Sequence, residues 1–272
     1  MKAALLQMVS GTSVQANLAT AAELMAQAAQ AGAELAVLPE YFCLLGMKDS
    51  DKLQIAEHFG DGPMQSRLSQ LAREHGLWLV AGSLPIAVPG ERNRVRNSCL
   101  VFDPQGACAA RYDKIHLFHF DNGQERYDEA LVLQAGDTPV CVDVPSRDGH
   151  IWRIGLSICF DVRFPALYQQ LARMGAHLML VPSAFTYTTG SAHWEVLMRA
   201  RALDNLVWVG AAAQGGVHDN GRSTWGHSMW VDPWGQVVAC QPQQAACVCA
   251  ELDMQVLLQR RRQLPALSPA VS

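Results

Sequence analysis

The order strand, helix, strand, helix, strand and hairpin runs twice through this 272-residue chain, and both hairpins turn on Asp-Pro-x-Gly: Asp103-Pro104-Gln105-Gly106 and Asp232-Pro233-Trp234-Gly235. In the first copy, strand 2–8 leads into a helix over 18–31 with Asn17 as its N-cap, then a strand over 34–39, a helix from Pro63 to His75 and a strand over 77–84. The hairpin 97–102/107–112 closes that unit. The second copy has strand 152–158, helix 165–174, strand 177–182, helix 192–203 and strand 207–213 before its own hairpin. A repeated unit predicts two similar sheets related by a pseudo-twofold, each covered by helices on one face. The expected fold is therefore α/β, an α-β-β-α sandwich. An open doubly wound sheet is the alternative, but its dinucleotide version needs G-x-G-x-x-G after the first strand, and Ser10-Gly11-Thr12 is not that.

The chain carries no Pro/Gly/Ser-rich linker or charge block, so one domain over 1–272 is expected, with a core over about 2–253 and a C-terminal tail over 254–272 that is disordered from Pro265 on. Half the residues are hydrophobic and 17% are charged, a balance suited to deep burial and to an oligomer. A net charge of −4 without a Lys/Arg run argues against nucleic acid or an anionic membrane as partner. Ala3-Ala4-Leu5-Leu6, interrupted by Gln7, is too short for a signal-peptide core or a membrane span, so a cytoplasmic location is expected. The eight cysteines then read as reduced thiols. No metal site is expected: Cys247-Val248-Cys249 has no second pair, and His116 and His119 lack a supporting acidic pattern.

Three segments end apolar or strand-like runs on reactive groups. Ile154–Ile158 runs into Cys159, Ala36-Val37-Leu38-Pro39 into Glu40, and Arg111-Tyr112-Asp113 into Lys114. A carboxylate, an ammonium and a thiol at element ends make a base, an oxyanion partner and a nucleophile, with the backbone N–H groups after Cys159 free to help hold an anion. Read without context, each has an ordinary alternative: a packed thiol, a capping carboxylate, a surface lysine. A Cys–His dyad is a further alternative, since the chain has nine histidines, but none sits in a motif that positions it against Cys159. His193 is expected to be buried and hydrogen-bonded.

Leu38-Pro39-Glu40, Tyr112-Asp113-Lys114-Ile115-His116-Leu117-Phe118 and Ile158-Cys159-Phe160-Asp161-Val162-Arg163-Phe164-Pro165 together resemble the glutamate, lysine and cysteine motifs of the nitrilase superfamily of carbon–nitrogen hydrolases. The resemblance spans Lys2 to about Asp253 and implies the same α-β-β-α sandwich, a homodimer, no cofactor, and a Glu40–Lys114–Cys159 triad. It implies that Glu129 orients Lys114 and the hydrolytic water. Phe-Asp-x-Arg-Phe-Pro after the cysteine is similar to the Nit branch, and the run from Pro182 to Glu195 resembles the deaminated glutathione amidase subgroup, whose ω-amidase relatives tend to have Asn where Thr186 stands.

The implied activity is hydrolysis of a small 2-oxo acid amide through a cysteine thioester. The alternatives are an ω-amidase acting on 2-oxoglutaramate or 2-oxosuccinamate, and a catalytically silent scaffold of the same fold. Tyr41, Phe160, Arg163, Phe185 and Thr186 are the expected substrate-binding residues, with Arg163 either meeting a substrate carboxylate or pairing with Asp161. The loop 119–127 is one residue shorter than the family pattern and lacks its proline.

Overall fold

Alternation along the first strand shows how the layers form. In the computed structural model, which describes residues 1–267, Ala3 and Leu5 of strand Lys2–Gln7 enter the core between the sheets, while Ala4 and Leu6 pack toward the helices. Leu35 and Val37 of the next strand share the first face, and Ala36 shares the second. Both faces are buried, which is why these strands are continuous apolar runs.

Strands Lys2–Gln7, Leu35–Val37 and Trp78–Val80 are parallel neighbours, followed by the antiparallel strands Val95–Phe102 and Cys108–Asp113. The second sheet repeats this order with Ile151–Leu156, Leu178–Leu180 and Trp208–Ala211 parallel, then Ser228–Val231 and Val237–Gln241 antiparallel. Even the local detail recurs. Each final hairpin has a register shift, at Val101/Phe102 and at Trp230/Val231, and in each turn the aspartate Oδ1 accepts two backbone N–H bonds, at 2.9 Å for Asp103 and 2.8 Å for Asp232.

One core holds Leu5, Val37, Val80 and Tyr112 of the first sheet against Trp152, Ile154, Leu180 and Val209 of the second. Helices Val14–Gln30 and Pro63–His75 cover the first sheet through Met25, Leu68 and Leu71. Helices Pro165–Arg173 and Tyr187–Asn205 cover the second through Leu171, Trp194 and Met198. The architecture is the expected α-β-β-α sandwich.

Several elements differ from the sequence reading. The first helix begins at Val14, capped by Ser13, whose hydroxyl accepts from Ala16 N–H. Asn17 lies within it and braces the Gly11 backbone and the Cys43 carbonyl. The helix expected from Ala192 begins at Tyr187, because Thr186 caps it and Gly190 permits a close approach: a Cβ there would lie 2.2 Å from Cβ of Trp225. Strands Cys141–Pro145 and Ala246–Glu251 extend the two sheets antiparallel to Ile151–Leu156 and Lys2–Gln7. A helix at Met254–Gln263 buries Met254 and Leu257 in the main core. The tail expected to be disordered from Pro265 lies outside the described residues beyond 267. Among the described residues, no helix is long and apolar enough to cross a membrane.

Gly82 (φ +51°) lies under the segment that carries Glu40: a Cβ there would sit 2.0 Å from the Pro39 carbonyl oxygen. Gly82→Ala is expected to lower stability by about 3 kcal/mol and to lower turnover, because Pro39 and Glu40 must shift. Gly76→Ala, also at positive φ but with nothing within 4 Å, is expected to cost only about 1 kcal/mol. Urea denaturation of both variants checks the contrast, and equal losses would contradict it.

Candidate active site

The three reactive segments meet where the two halves of the sandwich join. Ile158 is extended, Cys159 turns to φ +50°, and a short 3₁₀ turn over Cys159–Arg163 leads to Pro165 at the start of the next helix. A left-handed cysteine is strained and needs a surrounding frame to hold it. Asp161 provides that frame. Its fully buried carboxylate accepts Ile158 N–H at 2.9 Å, His116 N–H at 3.0 Å and the Tyr112 hydroxyl at 2.6 Å, tying the turn to the other sheet. The Cys159 N–H donates to the Pro182 carbonyl, and among the described residues the next amide, that of Phe160, donates to no protein group.

Glu40 and Lys114 are each 1% exposed. Lys114 Nζ donates to Glu40 Oε1 at 2.9 Å and to Glu129 Oε2 at 2.8 Å. Glu40 is held further by Asn97 Nδ2 at 3.0 Å and by the Ala184 N–H from the second half, also at 3.0 Å. Glu129 accepts the Phe118 N–H at 2.7 Å and the Tyr41 hydroxyl at 2.6 Å. The Cys159 side chain faces the same cavity as Glu40, whose charge bears on the thiol.

The two carboxylates on the one ammonium titrate in opposite directions. Burial pushes Glu40 above the ordinary value of 4.5, outweighing the attraction of Lys114. Burial acts on Glu129 as well, but Lys114, Lys52 and the Phe118 N–H together hold it below that value. Burial would strip Lys114 of its proton, yet the two carboxylates hold it above the usual lysine range. Burial and the neighbouring Glu40 charge push the Cys159 thiol well up, so it rests protonated. The arrangement is a protonated thiol beside a basic carboxylate, with a fixed ammonium and a free amide nearby. That set can transfer a thiol proton and stabilise an oxyanion.

These groups line one cavity that opens to solvent. All nine residues picked out in the sequence line it: Glu40, Tyr41, Lys114, Glu129, Cys159, Phe160, Arg163, Phe185 and Thr186. Arg163 does not pair with Asp161; its guanidinium lies over the Phe160 and Phe185 rings and contacts His193 Nδ1 at 3.2 Å. His193 is exposed rather than buried, because it sits on the solvent side of its helix. His116 stacks on Phe164 and bonds Asp161, so neither of these histidines is placed to serve Cys159. The shortened loop is a small hairpin, His119–Asp121 with Arg126–Asp128, turned by Asn122 and Gly123. It brings Tyr127 and Asp128 into the cavity wall.

The carbon–nitrogen hydrolase family profile matches residues 2–262. This chain belongs to the carbon–nitrogen hydrolase family. It is 38% identical to the deaminated glutathione amidase of Yersinia enterocolitica over 97% of this chain and 91% of that one. It is also 38% identical to omega-amidase NIT2 of Xenopus tropicalis, over 92% and 87%. Among solved structures it superposes on the Caenorhabditis elegans NitFhit protein with a TM-score of 0.90 and 37% identity, covering 98% of this chain and 64% of that one. Saccharomyces cerevisiae Nit3, a member of branch 10 of the nitrilase superfamily, gives 0.86 and 30%, over 97% and 94%. The carbon–nitrogen hydrolase reached here is thus of the Nit branch, with the sandwich expected from its internal repeat.

The sequence reading of this hydrolase missed residues that shape the site from outside its motifs. Asn97 and Ala184 hold Glu40, and Lys48, Asp49, Lys52 and Arg222 form the outer wall of the cavity. Asn97 lies in the hairpin strand Val95–Phe102, inside the run 97–102 that the sequence marks as strand, but Lys52 and Arg222 lie on surface segments with no sequence signal.

Removing Lys114 strands two buried carboxylates. Lys114→Met is expected to cost about 3–5 kcal/mol at neutral pH. Without the ammonium, the folded-state pKa values of both carboxylates rise above their unfolded values. The deficit is then small below pH 4.5 and grows as pH rises through the folded values. Denaturation of variant and wild type at pH 5 and pH 8 checks this; a deficit that shrinks at pH 8 would contradict it.

Proposed function

We propose that this protein is an amidase that hydrolyses a carboxylate-bearing 2-oxo acid amide, of the deaminated glutathione type, through a thioester on Cys159. The observation that carries this reading is one cavity lined by the Cys159 thiol and by Glu40, itself fixed by a Lys114 ammonium that also binds Glu129. As Sγ attacks the amide carbon, its proton passes to Glu40, and the carbonyl electrons move onto oxygen. Lys114 Nζ and the Phe160 N–H receive that oxyanion. Glu40 then gives the proton to the amide nitrogen, the C–N bond breaks, and the amine leaves a thioester behind. A water that loses its proton to Glu40 attacks the thioester, the acid leaves, and the proton returns to sulfur. Lys114 stays charged throughout because Glu129, which keeps its own charge, holds it so. No step requires a cofactor.

Relatives named deaminated glutathione amidase support the larger substrate, and those named omega-amidase NIT2 support the short ω-amide as the second reading. A thiol, a carboxylate and an ammonium that share one cavity argue against a silent scaffold. The two sheets share one core, so the described chain is taken as one catalytic domain. It is proposed to act in the cytoplasm as a homodimer, a reading supported by Val196 and Leu203, apolar residues exposed on helix Tyr187–Asn205.

Assays with deaminated glutathione, 2-oxoglutaramate and N-carbamoyl compounds are expected to show turnover of the first two kinds and none of the third. Cys159→Ser is expected to lose several powers of ten in kcat with an unchanged fold. More than about a tenth of wild-type kcat in that variant would overturn the assignment.

A further inference from the structure

The cavity has cations on two different walls. Arg163 lies in the turn that carries Cys159, and among the described residues no carboxylate lies within 4 Å of it. On the other wall, Lys52 Nζ sits 4.4 Å above the Tyr41 ring, and its neighbour Asp49 joins it to Arg222. Asp49 Oδ1 is 3.6 Å from Lys52 Nζ and 3.2 Å from both terminal nitrogens of Arg222. One carboxylate is therefore shared by two cations, at distances that leave donors on each unused. The side chains are part-buried, Lys52 at 12% exposed and Arg222 at 31%, and Lys48 stands at the rim. Asp128, the other acidic residue of this wall, is engaged in capping the Ala130 N–H.

The order of contacts gives this second wall a direction. Glu40 contacts Lys114, Lys114 contacts Glu129, Glu129 contacts Tyr41, and Lys52 lies over Tyr41. Glu40 is the group that hands its proton to the departing nitrogen, so the leaving amine must face Glu40. The wall that continues outward from Glu40 is then the one along which a large leaving amine would extend.

We propose that Lys52 and Arg222 form a subsite for a carboxylate carried by the leaving amine, so that the enzyme is built for amides that release an acidic, peptide-like amine rather than ammonia. This deepens the amidase reading and rests on it. Deaminated glutathione has such a group, the glycine carboxylate at the far end of its leaving dipeptide, whereas 2-oxoglutaramate has none. Arg163, on the side of the nucleophile, is left to meet the carboxylate of the 2-oxo acyl part common to both substrates. Lys52 and Arg222 could instead serve only to pin Asp49 and its loop, and that role predicts no preference between substrates differing at the distal charge.

The test compares deaminated glutathione with the same molecule bearing a glycinamide end, a change of one charge. Wild type is expected to favour the carboxylate form by roughly tenfold in kcat/KM, the scale of a charge-assisted contact. Lys52→Gln and Arg222→Gln are expected to bring that ratio to within about twofold of one, while Arg222→Lys and Arg163→Gln preserve it. A wild-type ratio near one, or a ratio that survives in both glutamine variants while activity on the two substrates falls together, would overturn the proposal. The wild-type comparison decides even if a variant fails to fold. Turnover of neither substrate by wild type would overturn the amidase reading and this subsite with it, an outcome distinct from equal turnover of both.

Discussion

One ammonium, Lys114, is buried between two carboxylates, and the geometry of the site depends on that placement. Taking each of these ions out of water costs several kcal/mol, which their attraction offsets only when every remaining polar position is filled. The chain fills them with groups from distant segments: Asn97 and Ala184 on Glu40, Tyr41 and the Phe118 amide on Glu129. Asn97 must aim its amide nitrogen at Glu40, and among the described residues its oxygen is left without a partner. The network thus locks side chains from both halves and from the connecting hairpin, which makes the site a product of the whole fold.

The same network separates the two carboxylates chemically. Glu129 has the Phe118 N–H and the charge of Lys52 in addition to Lys114, and stays ionised. Glu40 is more deeply buried, so its proton affinity is raised toward that of a working base. Strain is concentrated beside these groups, at Tyr41 with φ +53° and Cys159 with φ +50°. Each is held by bonds to a distant segment: Tyr41 through its hydroxyl to Glu129 on the stretch that connects the halves, and the Cys159 turn through Asp161 to Tyr112 of the first half. Backbone conformations that would relax in an isolated peptide persist because these bonds to distant segments hold them.

Much of the fold was legible because the repeat is in the sequence itself: two runs of buried parallel strands, helix stops at Gly32, Gly76 and Gly175, and two Asp-Pro-x-Gly turns. Helix starts were less so. Tyr187-Thr188-Thr189-Gly190-Ser191 has little helical preference, and only the Thr186 cap and the close approach of Trp225 make it helix. Cys247-Val248-Cys249 reads as alternating strand residues, but the place of strand Ala246–Glu251 in the sheet was illegible because its partner, Lys2–Gln7, lies at the far end of the sequence. In the site, Glu40, Lys114 and Cys159 could be picked out because each ends a structural run. Lys52 and Arg222 could not, since surface segments far apart in sequence place them together.

The central claim is that Cys159 carries the acyl group and Glu40 the proton. Glu40→Gln keeps the shape and a hydrogen bond to Lys114 but cannot accept a proton, so an acyl-enzyme formed slowly should not be cleared. Mass spectrometry of that variant after incubation with deaminated glutathione measures this directly. The expected result is a lasting mass increase equal to the 2-oxo acyl group, located on the peptide that contains Cys159. Wild-type turnover with no adduct, or the same adduct on another cysteine, would contradict it.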